Sequence, residues 1–212
     1  MMRFSTIFCL AALTTCLVSS LPAAEPTHTP PEGFTALFNG KDLSGWRGLG
    51  HANPYEIAKW SEADRKQKQA AADEDMNKHW RVENGEIVND GHGVYLTTAK
   101  DYRDFELLID WRMMTPQTDS GIYLRGTPQV QIWNPDGPDA KKLGADKGSG
   151  ALWNNEDEKN GKWPSEKVDK PIGEWNSLRI RMVGERVTIH MNGKKIVDDA
   201  TLENYWDRKR PV

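Results

Sequence analysis

Two short segments constrain this chain more than any others. Gly121-Ile122-Tyr123-Leu124-Arg125-Gly126 and Gln129-Val130-Gln131-Ile132-Trp133-Asn134 are separated by only two residues. Strand side chains alternate between faces. Ile122, Leu124, Val130 and Ile132 then share an apolar face. Tyr123, Arg125, Gln129, Gln131 and Trp133 share the other. Such a face suits a polyhydroxylated ligand, because rings stack on sugar faces while amides and guanidinium bond hydroxyls. The plainer alternative is a solvated sheet face carrying scattered polar groups.

The strand pattern continues on both sides. Trp80-Arg81-Val82-Glu83 and Glu86-Ile87-Val88-Asn89 flank Asn84-Gly85, a strong hairpin signal. Further strands are expected at 34–38, 94–97, 105–113, 149–153, 175–183, 186–191 and 194–197. Asp42 to Trp46 reads as a loop that plants Trp46 against the core. Regularly spaced strands with turn signals predict an all-β sandwich or barrel. The exception is 54–79, rich in Ala, Gln, Lys, Glu and Asp, with Asn53 as cap and Pro54 at the first helical position. It reads as a solvated helical insertion laid over the β body.

The amino terminus predicts export. Met1-Met2-Arg3 is followed by an apolar run to Leu21 and by small residues at Pro22-Ala23-Ala24. That is a signal-peptide pattern over 1–24, with a Pro-rich linker at 25–32. A lipoprotein-like alternative at Cys16 would put Thr15 where a smaller residue is preferred. Cys9 and Cys16 are the 2 cysteines, so the mature chain has no disulfide framework and no cysteine metal site. Removing Arg3 leaves 27 basic against 31 acidic residues, a net charge of −4. Nothing in that balance forms a nucleic-acid-binding patch. After cleavage no membrane span is expected. The 9 tryptophans are many for this length, and Trp is common where carbohydrate is handled.

Several motifs in order resemble one known family. They are Phe34-Thr35-Ala36-Leu37-Phe38-Asn39-Gly40-Lys41-Asp42-Leu43-Ser44-Gly45-Trp46, Tyr102-Arg103-Asp104-Phe105-Glu106-Leu107, Asp119-Ser120-Gly121-Ile122-Tyr123-Leu124-Arg125, Lys170-Pro171-Ile172-Gly173-Glu174-Trp175-Asn176 and Met191-Asn192-Gly193-Lys194. Together they are similar to the 3-keto-disaccharide hydrolase family, formerly a domain of unknown function. The resemblance implies a concanavalin A-like jelly-roll β-sandwich over 33–212, with the helical insertion near 54–79. It also implies cleavage of glycosides oxidised at the third carbon of the sugar. The ketone acidifies the hydrogen on the second carbon, a base removes it, and the glycosidic oxygen leaves. Water then adds back. Such a site needs a base, a donor or metal to hold the enediolate charge, and an acid for the leaving group.

Two departures accompany the resemblance. Many members carry an acid where this chain has Gln129, which can only hydrogen-bond. The family also continues past Pro211-Val212, through a Gln…His-Gly segment and an aromatic-Arg-Asn-Ile strand. The domain is therefore expected to lack its C-terminal strands.

Asp119, Asp110 and Glu106 are the expected catalytic carboxylates. Their alternatives are a turn-capping Asp119 and a solvated charged face for the other two. Tyr123, Arg125, Gln129, Gln131, Trp133, Trp153 and Asn154 are the expected substrate contacts, although Arg125 could instead pair with Asp110 or Glu106. His51 and His79 flank the insertion, and His92 sits in a turn. No histidine spacing suggests a metal site, but an oxygen-ligand divalent cation stays open. The function expected is an exported, periplasmic or extracellular, glycoside-cleaving hydrolase (or lyase/hydratase) on an oligosaccharide or modified glycoside. The alternatives are a non-catalytic carbohydrate-binding module of the same fold and an accessory domain of a larger surface-associated enzyme.

Overall fold

The computed structural model describes residues 29–126 and 128–212. The signal peptide expected at 1–24 lies outside the described residues, as does the first half of the linker expected at 25–32. Ten strands are described: β1 (Trp46–Leu49), β2 (Trp80–Glu83), β3 (Glu86–Asn89), β4 (Tyr95–Thr98), β5 (Phe105–Trp111), β6 (Asp119–Tyr123), β7 (Gln129–Trp133), β8 (Asn176–Val183), β9 (Arg186–Met191) and β10 (Lys194–Thr201). The α-helices are α1 (Pro54–Ile57), α2 (Glu62–His79) and the short α3 (Ala140–Leu143), with a 3-10 turn at Ala145–Lys147 and a π turn at Glu158–Lys162. None of the described helices is long and apolar enough to cross a membrane. The protein is thus mostly β, with open rather than closed sheets.

Alternation builds the main sheet. Its antiparallel order is β10-β9-β8-β5. On β8, Leu178, Ile180 and Met182 are buried while Ser177, Arg179 and Arg181 are exposed. The register Leu107↔Ile180 and Ile109↔Leu178 carries the same apolar face onto β5. On β9, Val187, Ile189 and Met191 extend it. Register shifts in β10 break the alternation, so the neighbours Ile196 and Val197 both turn inward.

Opposite this sheet stands the β6–β7 hairpin. Its inner side chains Val130 and Ile132, together with Leu124 just past β6, join Leu152 and the sheet residues in one core. Burial of this continuous apolar surface is the main stabilising term. The other edge of β7 is hydrogen-bonded to the segment expected as a strand at 149–153: Gln131 N donates to the Ala151 carbonyl and Gly150 N to the Gln131 carbonyl.

The expected strand at 34–38 does not form. Its region is organised locally instead: Phe34 N bonds the Pro31 carbonyl, and the Asn39 side chain accepts from Lys41 N and Asp42 N. β1 begins at Trp46, where a loop was expected, because Trp46 to Leu49 find a partner in β4. Asn53 caps α1 as expected, accepting from Tyr55 N, but α1 is one turn long. A new cap, Ser61, starts α2.

α2 is polar because its work is at the edge of β1. The Asp73 carboxylate accepts from Gly48 N (2.9 Å), and Gln69 Nε2 donates to the Gly48 carbonyl (3.0 Å). Two side chains thereby replace a neighbouring strand and protect an exposed edge. The approach requires glycine, since a Cβ at 48 would lie 2.1 Å from the Ala72 carbonyl oxygen. Gly48→Ala is therefore expected to push the helix away and cost about 2 kcal/mol. That would lower the melting temperature by about 6 °C, measurable by calorimetry. A variant as stable as the parent would show that the helix is not seated on this strand.

Candidate active site

The β6–β7 register places Asp119 opposite Trp133, Gly121 opposite Gln131 and Tyr123 opposite Gln129. The five side chains, Gly121 having none, therefore share the face turned away from the main core. Three of them form a directed chain. Gln129 Nε2 donates to Gln131 Oε1 (2.5 Å), and Gln131 Nε2 donates to Asp119 Oδ1. A carboxylate can only accept, so Asp119 fixes which end of Gln131 faces it, and Gln131 in turn requires a donor at 129. An ionised acid at 129 could not fill that position. Both glutamines are buried, whereas Asp119 is exposed. Gly121 makes room for the chain, as a Cβ there would lie 2.2 Å from Gln129 Oε1. Asn154 anchors the same strand, its Oδ1 accepting from Gln129 N (3.0 Å).

At the other end of the hairpin stand aromatic and imidazole groups from four elements. The Tyr95 hydroxyl donates to the Tyr123 hydroxyl (3.2 Å), and His51 Nδ1 lies 3.2 Å from the Tyr95 hydroxyl. The two phenol rings are 4.6 Å apart. His51 also packs against Tyr205 and Trp206. Burial above all, with the negative charge of Asp119 nearby, raises the pKa of Tyr123 above the usual tyrosine value. Tyr123 thus keeps its proton at neutral pH, and with its oxygen accepting from Tyr95 that proton is free to be donated elsewhere.

Other expected contacts lie elsewhere. Glu106 and Asp110 alternate with the core-facing Phe105, Leu107, Ile109 and Trp111, so they sit on the outer face of the four-stranded sheet. Glu106 pairs there with Arg179 (2.5 Å). The core separates both from Asp119. Arg125 leaves the row because its backbone turns to a positive φ of 50° just after β6 ends. Its guanidinium bonds the Arg103 carbonyl, the Asp104 carboxylate (3.1 Å) and the Val212 carbonyl (3.3 Å). Trp133 is buried beside Ala140, Ala145 and Trp163, with Nε1 on the Gly148 carbonyl, and is no open stacking platform. Trp153 is partly exposed at its edge and remains available to a ligand. His92 stays in its turn beside His79.

His51, Tyr95, Tyr205 and Trp206 were not singled out from sequence. The Leu49↔Tyr95 pairing of β1 with β4 brings His51 alongside. The segment after β10 supplies Tyr205 and Trp206, held by Asn204, which bonds the Tyr55 hydroxyl and accepts from Trp206 N. Two cavities of about 370 and 400 Å³ lie at other places, and neither is lined by Asp119, Tyr123, Gln129 or Gln131. The row is an open face. Among the described residues no three of His, Cys, Asp and Glu gather as metal ligands.

The mostly-β architecture has counterparts among solved structures. Two crystal structures of provisionally named glycosyl hydrolases from Parabacteroides distasonis share the fold. One has a TM-score of 0.56 at 23% identity, covering 81% of this chain and 74% of that one. The other has a TM-score of 0.53 at 22% identity, covering 78% and 64%. The chain belongs to the 3-keto-alpha-glucoside-1,2-lyase-like domain family, whose model matches residues 33–211. A 3-keto-disaccharide hydrolase of Bacteroides thetaiotaomicron is 23% identical over 206 residues, 82% of this chain. The chain spans 61% of that relative's length.

Proposed function

We propose that this protein cleaves the glycosidic bond of 3-keto-glycosides, with Asp119 as the base and Tyr123 as the acid. Asp119 takes the proton from the second sugar carbon, which the neighbouring ketone has acidified. The electron pair moves to form the double bond between the first and second carbons as the glycosidic oxygen departs. Tyr123 gives that oxygen its proton. Water then adds its oxygen to the first carbon and gives a proton to the Tyr123 phenolate, while Asp119 returns its proton to the second carbon, which completes hydrolysis. Both residues end as they began.

One observation carries the reading. A free-facing carboxylate, oriented by a buried amide chain, shares a strand face with a phenol held in its protonated form. The amides position the base without competing for its proton. Asp119 Oδ2 has no hydrogen-bond partner among the described residues and is open to substrate. The exposed rings of Trp153 and Tyr205 suit the flanking sugar faces. Family membership supports the substrate class. The reading extends to a concanavalin-like jelly roll over 33–212 and to export after loss of residues 1–24.

The test is incubation of the protein with a 3-keto-glucoside and a 3-keto-disaccharide, with the released sugar followed by mass spectrometry. Release is expected from both, and none from the unoxidised glucosides, whose second-carbon hydrogen is not acidic. No release, combined with saturable glycan binding, would favour a carbohydrate-binding module instead.

A further inference from the structure

We infer that His51 and Tyr95 form a proton relay behind Tyr123, recharging the acid that protonates the leaving group. The inference rests on the reading of Tyr123 given above. It begins with three polar atoms in a line: His51 Nδ1, the Tyr95 hydroxyl and the Tyr123 hydroxyl, with 3.2 Å at each step. Each phenol has one proton. Because Tyr95 donates to Tyr123, its oxygen lone pairs face His51, and the proton of Tyr123 is left to point onward. A protonated His51 donates through Nδ1 and completes a chain in which every donor has an acceptor.

The rest of the surroundings fit a relay. His51 is exposed and can exchange protons with solvent, while Tyr123 is half-buried and cannot do so as readily. The His51 ring is held against Tyr95, Tyr123, Tyr205 and Trp206, which fixes the direction of Nδ1. The titratable groups facing it are Tyr95 on β4, Tyr123 on β6 and Tyr205 in the segment after β10. Arg208 stands over the Tyr205 ring, and the charge of Asp119 is felt at Tyr123.

The steps balance. As the bond from the first carbon to the glycosidic oxygen breaks, that oxygen takes the proton of Tyr123. Tyr123 takes the proton of Tyr95, and Tyr95 takes the Nδ1 proton of the imidazolium. The proton of the second carbon rests on Asp119. When water adds, its proton returns along the same chain to His51. Neither His51 nor Tyr95 touches the sugar, so both act through Tyr123.

Leaving-group dependence separates this role from a structural one. A methyl 3-keto-glucoside needs its departing oxygen protonated, whereas a 4-nitrophenyl 3-keto-glucoside releases a stable anion. His51→Gln and Tyr95→Phe are expected to lose about 30-fold in kcat on the methyl glycoside and less than a tenth of that loss on the nitrophenyl one. The double variant His51→Gln/Tyr95→Phe should lose no more on the methyl glycoside than either single variant, because cutting one link already stops the chain. Equal losses on the two glycosides, or single losses that multiply in the double variant, would overturn the relay while leaving Asp119 and Tyr123 in place. A parent protein inactive on both glycosides would overturn the relay together with the reading beneath it.

Discussion

Asp119→Asn is expected to lower kcat on a 3-keto-glucoside about 1000-fold, within the range that a positioned base contributes. The substitution keeps an oxygen that can accept from Gln131 Nε2, so the amide chain can remain intact. Asp119 is exposed, so stability should stay within about 0.5 kcal/mol. Substrate affinity should change by less than about threefold, because the lost function is proton removal rather than binding. Steady-state kinetics, a binding titration and a thermal melt together check the three expectations. The informative controls are Glu106→Gln and Asp110→Asn, which should retain parental kcat from the far side of the molecule. Full activity in Asp119→Asn, or a large loss in either control, would move the base to another residue.

Ile180→Ala is expected to cost about 2–5 kcal/mol, the usual penalty for emptying a fully buried aliphatic site. Ile180 is 0% exposed at the centre of the four-stranded sheet. Its neighbours come from β5, β9 and the β6–β7 hairpin, so a cavity there loosens the platform beneath the site. Leu108→Ala is the counterpart on the outer face. Leu108 is 40% exposed, and its loss should cost less than about 1 kcal/mol. Urea denaturation of the two variants compares the faces directly. Similar costs would contradict the assignment of inner and outer faces, and with it the separation of Glu106 and Asp110 from Asp119.

Much of the local architecture could be read from residue order. The β2–β3 hairpin follows from Asn84-Gly85 between alternating strands, and it pairs in the register Val82↔Ile87. The polar face of β6 and β7 follows from alternation, which is why Tyr123, Gln129 and Gln131 were legible together. Alternation stopped being a guide at Arg125, where the strand had ended and the backbone turned to positive φ. It was also silent about Trp133, because an outward-facing ring is buried when α3 and the loop around Trp163 fold over it. The segment at 34–38 had strand-like composition but forms no strand, and a strand exists only where a ladder can form.

Sequence by itself determined the periodicities: which side chains share a face, where hairpins turn, and where a polar helix interrupts the strands. Those properties depend on residues within a few positions of one another. Only the tertiary structure decided which faces meet. The pairing of β1 with β4 brought His51 to Tyr95 across 44 positions. The packing of the hairpin on the four-stranded sheet put Glu106 and Asp110 on the opposite side from Asp119. Such choices are made by core burial between distant segments, and alternation along one strand fixes two faces without saying what lies beyond either.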